Sequence, residues 1–197
     1  MGRPVRIPAQ PPEAWSESTR SEFARVQPVA TAPPAGGDAP TRKPFHLPAL
    51  IANHPRFLPP YLMWAKAVAL EGVLPRRDAA LVALRTALRC HSEFEWGVHA
   101  ETALARIGLT HEELDRVAIG PEAPGWTSHE AALLRAADEL HEEQTIGDAT
   151  WTTLSTEYDA AALLEVVFVA AHYTMLSMVA NSAGLPPEAH WETLPGA

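Results

Sequence analysis

The chain has 197 residues, of which 47% are hydrophobic, so it can build one domain with a sizeable core. A formal net charge of −9 without any Lys/Arg cluster argues against nucleic acid or an anionic membrane as a partner, and no apolar run approaches the roughly 20 residues that span a bilayer. Cys90 is the only cysteine, which excludes an intrachain disulfide and favours a reducing cytoplasm, and no apolar core of a secretory signal follows the N-terminal arginines.

Residues 1–43 differ in composition from the rest of the chain. Ten of the 19 prolines lie within or close to this segment, which also contains a linker-like run of Pro, Gly and Ala. One short helix is expected over residues 12–26, whereas residues 27–43 are equally consistent with an ordered arm and a disordered tail. We therefore predict a Pro-rich N-terminal arm at 1–43, crossing the domain surface or a partner subunit, and a helical domain at 44–197.

From Pro44 onward, apolar residues recur with the 3.6-residue period of helices. Two Thr-x-x-Glu capping boxes, Thr110–Glu113 and Thr127–Glu130, each mark a helix start. No segment alternates polar and apolar residues for long, so the prediction is an all-α bundle of about six to eight helices joined by short connections. The helices are expected at 45–53, 60–71, 76–89, 93–107, from 110 onward, 127–141, 148–158 and 159–183.

The ten residues from Cys90 to His99 concentrate more reactive side chains than any other stretch. Glu95 and His99 are four residues apart on a predicted helix, so they share one face about one turn apart. A carboxylate beside an imidazole favours the charged imidazolium and orients its ring, which suits the transfer of one proton to or from a small substrate. Glu95 and His99 are therefore the predicted catalytic pair.

The other side chains of this stretch each allow two interpretations. Ser92 either lines the site or caps the helix in a Ser-x-x-Glu box, whose carboxylate would be Glu95. Phe94 and Trp96 either wall a small pocket or fill the core. Cys90 is either a thiolate activated by the positive end of the following helix or an inert buried thiol.

Three further candidates lie outside this stretch. His172 and Tyr173 stand in the most apolar predicted helix, where polar side chains need partners. They therefore either face the site, with Tyr173 as a second proton donor, or hydrogen-bond within the core. Arg85, or in its place Arg89, is a candidate to bind a substrate carboxylate, by nearness in sequence alone.

The spacing of the histidines argues against a metal centre. His91, Glu95 and His99 form an i, i+4, i+8 stripe that rises about 12 Å along a helix, too far for all three to meet one ion. A pair from this stripe with His172 as a remote third ligand is the remaining option. We predict neither a metal nor a cofactor.

The segment Leu74–Arg85, followed by Phe94-Glu95-Trp96-x-x-His99, resembles the carboxymuconolactone decarboxylase family of the AhpD-like superfamily. The likeness extends over about residues 44–190 and is closest to the subgroup with a Tyr/Phe-Glu-Trp-x-x-His signature. It implies an all-helical fold and a homo-oligomer, with dimer and trimer both open. It also points to His99 as the residue that carries the chemistry.

This sequence departs from the peroxidase members of that superfamily, which carry Cys-x-x-Cys-x-x-x-His. Alignment on His99 places Ser92 and Glu95 where those members have their two cysteines, and Ala80 where they have a glutamate. Cys90 lies two residues too early to replace the first cysteine. A two-cysteine peroxidase cycle is therefore excluded, whereas His99 with Glu95 as its helix neighbour can be carried over.

Three functions follow as alternatives. The first is a lyase or isomerase without metal or cofactor, which decarboxylates or isomerises a small carbonyl acid or lactone by acid/base chemistry of His99 and Glu95. The second is an antioxidant protein that reduces peroxides through Cys90 alone, by way of a sulfenic acid. The third is a non-catalytic binding or assembly protein in which the motif survives as core.

Overall fold

The computed structural model describes residues 4–30 and 46–196. Within these residues the chain forms nine α-helices and no β-strand, which confirms the all-α prediction: eight helices lie in the predicted domain and one in the N-terminal arm. The helices are α1 (Glu17–Ala30), α2 (His46–Ile51), α3 (Leu58–Leu70), α4 (Arg76–Arg89), α5 (Glu93–Thr102), α6 (His111–Ile119), α7 (Ser128–Glu142), α8 (Asp148–Leu154) and α9 (Ala160–Ala183).

Both predicted capping boxes are confirmed, and one arginine joins them. The Thr110 and Thr127 hydroxyls accept the backbone N–H of Glu113 and Glu130, and each glutamate carboxylate accepts its threonine's backbone N–H in return. Arg77, in the first turn of α4, donates from Nη2 to Glu113 Oε1 (2.5 Å) and from Nε to Glu130 Oε1 (2.9 Å). The starts of α4, α6 and α7 are therefore tied to one guanidinium group.

The helix predicted at 93–107 is interrupted before its end. Regular α-helix stops at Thr102, and residues Ala103–Ile107 form a π-helical turn. Gly108 has a φ of 88° and ends the turn with its N–H donated to the Ala103 carbonyl (2.9 Å). The left-handed backbone that this closure needs is accessible to glycine at little cost.

The prediction that no apolar run is long enough to span a bilayer is wrong for the central helix, α9. It has 24 residues and a mean hydropathy of 1.7 in its most apolar window, so it could cross a membrane by length and composition. Half of that window is buried in the protein. Its neighbours are α3, α4, α5 and α7, an arrangement typical of the core helix of a bundle.

Two hydrophobic clusters meet at α5. The larger lies among α4, α7 and α9 and contains Phe94, whereas the smaller lies among α4, α5, α6 and α7 and contains Trp96. Glu95 lies between Phe94 and Trp96 in the sequence and is only 1% exposed. Burial of Phe94 and Trp96 on either side fixes the rotation of α5, which in turn fixes where the Glu95 carboxylate lies.

The described part of the N-terminal arm runs over the domain. The backbone N–H groups of Arg6 and Ile7 both donate to the Ala183 carbonyl at the end of α9. The expected short helix is present as a 3₁₀ turn followed by α1, and Phe23 of α1 is buried together with residues of α3. The boundary predicted at residue 43, and the question of order in most of 27–43, lie outside the described residues.

Candidate active site

Ser92 sets the start of α5 and leaves the Glu95 carboxylate free for another role. The Ser92 hydroxyl accepts the Glu95 backbone N–H (3.3 Å), as expected of an N-cap residue. The Ser92 backbone N–H donates to the Ala87 carbonyl (3.0 Å), so the Glu95 carboxylate does not close a capping box. The interpretation of Glu95 as a mere cap is therefore wrong.

The predicted pair meets across one turn of α5. Glu95 Oε2 lies 3.6 Å from His99 Nε2. The Glu95 side chain is 2% exposed, whereas the His99 side chain is 21% exposed, so the imidazole is the solvent-facing member of the pair. Glu95 Oε1 is buried and has no hydrogen-bond partner among the described residues.

Tyr173 of α9 covers the imidazole of His99. The two rings meet edge to face with their centroids 4.3 Å apart. Burial, and then the charge of Glu95, raise the pKa of Tyr173, so its phenol stays protonated at neutral pH. Tyr173 therefore keeps its phenolic proton beside the pair.

His172, the neighbour of Tyr173, is held by a residue of α3. Trp64 Nε1–H donates to His172 Nδ1 (3.1 Å), so the proton of the neutral imidazole is on Nε2. Phe168 packs edge to face against Trp64, with 5.4 Å between centroids. Burial, and then the charge of His99, lower the pKa of His172 to about 4, so this ring is neutral at pH 7.

Tyr61 of α3 belongs to the same group, although no sequence signal singled it out. Its pKa is raised by burial, by the charge of Glu95 and by Tyr173. In the sequence Tyr61 is simply one more large side chain of an apolar helix, as is Trp64. Their involvement follows from the packing of α3 on α9, which no local pattern encodes.

Arg85 does not join this group. Its guanidinium donates to both carboxylate oxygens of Asp138, at 2.7 and 2.9 Å, and to the carbonyls of Val117 and Ala118. A Cβ at Gly120 would stand 2.7 Å from Arg85 Nη2, so there is no room there for a ligand. Arg85 therefore links α4, α6 and α7, and the suggestion that it binds a substrate carboxylate is wrong.

The two aromatic residues of the motif lie in core contacts. Trp96 is 1% exposed and belongs to the smaller hydrophobic cluster, on the other side of α5 from the larger one. Phe94 packs edge to face against Trp191, with centroids 5.4 Å apart. Of the two interpretations left open by the sequence, both contacts favour the core.

Cys90 lies apart from Glu95 and His99, at the carboxyl end of α4. Its Sγ is 3.8 Å from His141 Nδ1 and 3.9 Å from Thr174 Oγ1. Burial raises the pKa of the thiol, and hydrogen bonds from Thr174 and Ser177 offset this only in part. The expectation of a thiolate activated by a helix N-terminus is wrong. Cys90 is the C-cap residue of α4, and α5 begins only at Glu93.

The ligand types of a metal centre are not assembled in the described part of the chain. No three His, Cys, Asp or Glu side chains come together there in a way that could hold an ion. The predicted stripe is also broken at His91, which stands before α5 with a φ of 48°. We therefore interpret the chemistry of the group around Glu95 and His99 from its side chains alone, which are an acid, a base and hydrogen-bond donors.

Acid pH tests the assignment of His172 as a buried neutral ring. Between about pH 6.5 and pH 4 the unfolded chain binds a proton at this position that the folded chain does not. The free energy of unfolding should therefore fall as the pH falls, by at most about 1.4 kcal/mol per pH unit from this group. Urea unfolding of His172→Gln at several pH values should show a weaker dependence.

The exposed His111 provides the control for that experiment. His111→Gln should keep the pH dependence of the unmodified protein, because its imidazole is 74% exposed. Equal slopes for His172→Gln and the unmodified protein would contradict the assignment of His172.

One protein family matches part of this chain. Residues 57–139, which include α4 and α5, match the carboxymuconolactone decarboxylase family. It is the family that the sequence resemblance pointed to. No curated protein matches the chain by sequence.

Solved structures show that the described residues have the AhpD-like fold. An alkylhydroperoxidase AhpD core protein from Ralstonia eutropha, described as peroxidase-related, has a TM-score of 0.70 and 18% identity, with 95% of this chain and 94% of that chain covered. A peroxidase-related protein from Silicibacter has a TM-score of 0.74 and 14% identity, with 97% of both chains covered. The debrominase Bmp8, in complex with 2,3,4-tribromopyrrole, has a TM-score of 0.73 and 10% identity, covering 96% of this chain and 95% of its own.

Proposed function

We propose that this protein catalyses a proton transfer without metal or cofactor, decarboxylating or isomerising a small carbonyl acid or lactone. The observation that carries the proposal is the contact of a buried carboxylate with a partly exposed imidazole, Glu95 Oε2 to His99 Nε2 at 3.6 Å. The family match supports the reaction class, since lactone decarboxylation gives that family its description.

The roles follow from the position of each group. His99 is the member of the pair that solvent reaches, so it exchanges a proton with the substrate and regains it from water. Glu95 stabilises the imidazolium and holds the ring in place. Tyr173 and the Nε2–H of His172 are donors that suit the negative charge developing on an enolate oxygen.

Deuterium incorporation tests this proposal with probe compounds in place of the natural substrate. The protein is incubated in D₂O with carboxymuconolactone, simple enolisable lactones and β-keto acids, and NMR measures deuterium bound to carbon in the probe or its product. At least one probe should be labelled faster than without protein. If no probe is labelled, the proposal fails.

A second candidate, a single-cysteine peroxidase, is favoured by the contact of Cys90 Sγ with His141 Nδ1 at 3.8 Å. The thiolate would attack the distal oxygen of a hydroperoxide, giving a sulfenic acid and releasing the alcohol. Two equivalents of an external thiol would then reduce the sulfenic acid, forming a disulfide and water. The raised pKa of Cys90 weighs against a fast reaction at neutral pH.

Cys90→Ser decides between the two candidates. Peroxide consumption in the presence of a small thiol should fall to the level without protein if Cys90 is the reductant. Deuterium labelling at carbon should persist in the same variant if His99 and Glu95 carry the chemistry. Unchanged peroxide consumption in Cys90→Ser removes the peroxidase candidate.

We also propose a homo-oligomer, dimer or trimer, that associates through the outer face of α9. An apolar stripe of exposed residues runs along this face at heptad-like spacing and includes Leu164, Phe168, Met175 and Met178. A second copy of the chain would bury this stripe. The partners proposed are thus a small molecule and further copies of the chain, in the cytoplasm, with neither nucleic acid nor membrane.

Light scattering coupled to size-exclusion chromatography measures this association. The unmodified protein should elute with a mass of two or three chains, and Met178→Asp, which puts a charge in the stripe, should shift it towards one chain. Ile119→Asp is the matched control, because Ile119 is similarly exposed but lies on α6. A monomeric unmodified protein would contradict the proposal.

A further inference from the structure

We infer that the Glu95–His99 site takes an uncharged ligand that presents one O–H or N–H group to Glu95, such as an enol, a phenol or an azole. The inference rests on the proposed function only in taking this group of side chains to be a ligand site. It narrows the proposed function to the isomerisation of an uncharged lactone or ketone, because excluding a free carboxylate also excludes decarboxylation.

The first argument is the unused acceptor. Glu95 Oε1 is buried without a hydrogen-bond donor among the described residues, and a buried carboxylate oxygen left in that state is costly. The other oxygen, Oε2, faces His99. A ligand that brings its own O–H or N–H to Oε1 satisfies this acceptor, whereas a ligand with acceptors alone leaves it unpaired.

The second argument is charge. Glu95 is a buried carboxylate, and its charge raises the pKa values of Tyr61 and Tyr173. Arg85 is fully engaged elsewhere by Asp138 and by two backbone carbonyls. A carboxylate ligand would place a second negative charge beside buried Glu95, whose own charge already pairs with His99.

The third argument concerns two hydrogen-bond donors of the same group of side chains. His172 carries its proton on Nε2, because Nδ1 accepts from Trp64. Tyr173 lies against His99 and keeps its phenolic proton. These groups match a ligand that has an acceptor in addition to its one donor, and an enol, a phenol or an azole with a second ring nitrogen has both.

Three monosubstituted benzenes of similar size distinguish how a hydrogen-bond donor, an acceptor and a charge on the ligand affect its binding. Phenol is neutral at pH 7 and has an O–H, anisole is neutral without a donor, and benzoate is charged. Titrations followed by NMR or calorimetry should show that phenol binds at least about tenfold more tightly than anisole or benzoate. In Glu95→Gln the preference for phenol over benzoate should shrink, because the negative charge is gone. The exposed carboxylate variant Glu143→Gln should retain the preference.

Each outcome of this experiment decides the inference. Benzoate or anisole binding as tightly as phenol would overturn it, as would an unchanged preference in Glu95→Gln or the failure of all three probes to bind. Deuterium labelling reports separately on the proposed reaction. A phenol preference without any labelling upholds the ligand class and removes the reaction, and labelling without the preference does the reverse.

Discussion

Replacement of His99 by alanine is expected to lower kcat/KM by about 10²- to 10⁴-fold, the usual contribution of a general acid/base residue. The fold should persist, because the imidazole is partly exposed and its neighbours on α5, Phe94 and Trp96, keep their own core contacts. The measurement is the rate of deuterium labelling at carbon for the best probe, accompanied by the melting temperature of the variant.

Two outcomes of this experiment exclude catalysis by His99. Turnover that persists in His99→Ala assigns the chemistry to another residue. A large fall in melting temperature, in a protein that turns over none of the probes, fits the third alternative, in which the motif is core of a binding or assembly protein. His111→Ala, at a well-exposed histidine, should change neither quantity.

Replacement of Arg85 by methionine is expected to reduce the free energy of unfolding by about 3–5 kcal/mol, the cost of leaving one member of a buried ion pair without its partner. Asp138 would keep only Arg89, whose Nε lies 3.5 Å from Oδ1. The carbonyls of Val117 and Ala118 would lose their donor as well. Urea unfolding measures the change, and methionine keeps most of the side-chain volume.

A surface ion pair gives the matched control for Arg85. Arg135 and Glu122 lie 2.7 Å apart, but their side chains are 44% and 79% exposed. Arg135→Met should therefore change the free energy of unfolding by no more than about 1 kcal/mol. Similar losses for the two variants would contradict the view that Arg85 is the buried link between α4, α6 and α7.

Much of the fold could be predicted because its signals are local. Thr110 and Thr127 mark helix starts through contacts with residues three positions away, and both capping boxes are where the sequence places them. The π-helical turn at Ala103–Ile107 could not be predicted in this way, because its residues have ordinary helical character. The apolar length of α9 is hard to recognise in the sequence because polar residues such as Glu165 and His172 interrupt it.

The site likewise combines local contacts, which the sequence predicts, with contacts between distant segments, which it does not. Glu95 and His99 meet because they are one helical turn apart, so spacing alone predicts their contact. Tyr61 and Trp64 come from α3 and reach the site only through packing against α9. The prediction for Arg85 is wrong for the same reason, since nearness in sequence to the motif says nothing about Asp138, which lies far along the chain in α7.

The double contact of Arg77 has a consequence for how the molecule opens. The Arg77 guanidinium binds the carboxylates that close both capping boxes. Fraying at the start of α6 therefore removes one hydrogen-bond acceptor from the same guanidinium that stabilises the start of α7. The amide protons of these two helix starts should therefore exchange with solvent in concert, as one cooperative unit with the first turn of α4. The carboxyl ends of α6 and α7, which share no such contact with Arg77, should exchange independently of it.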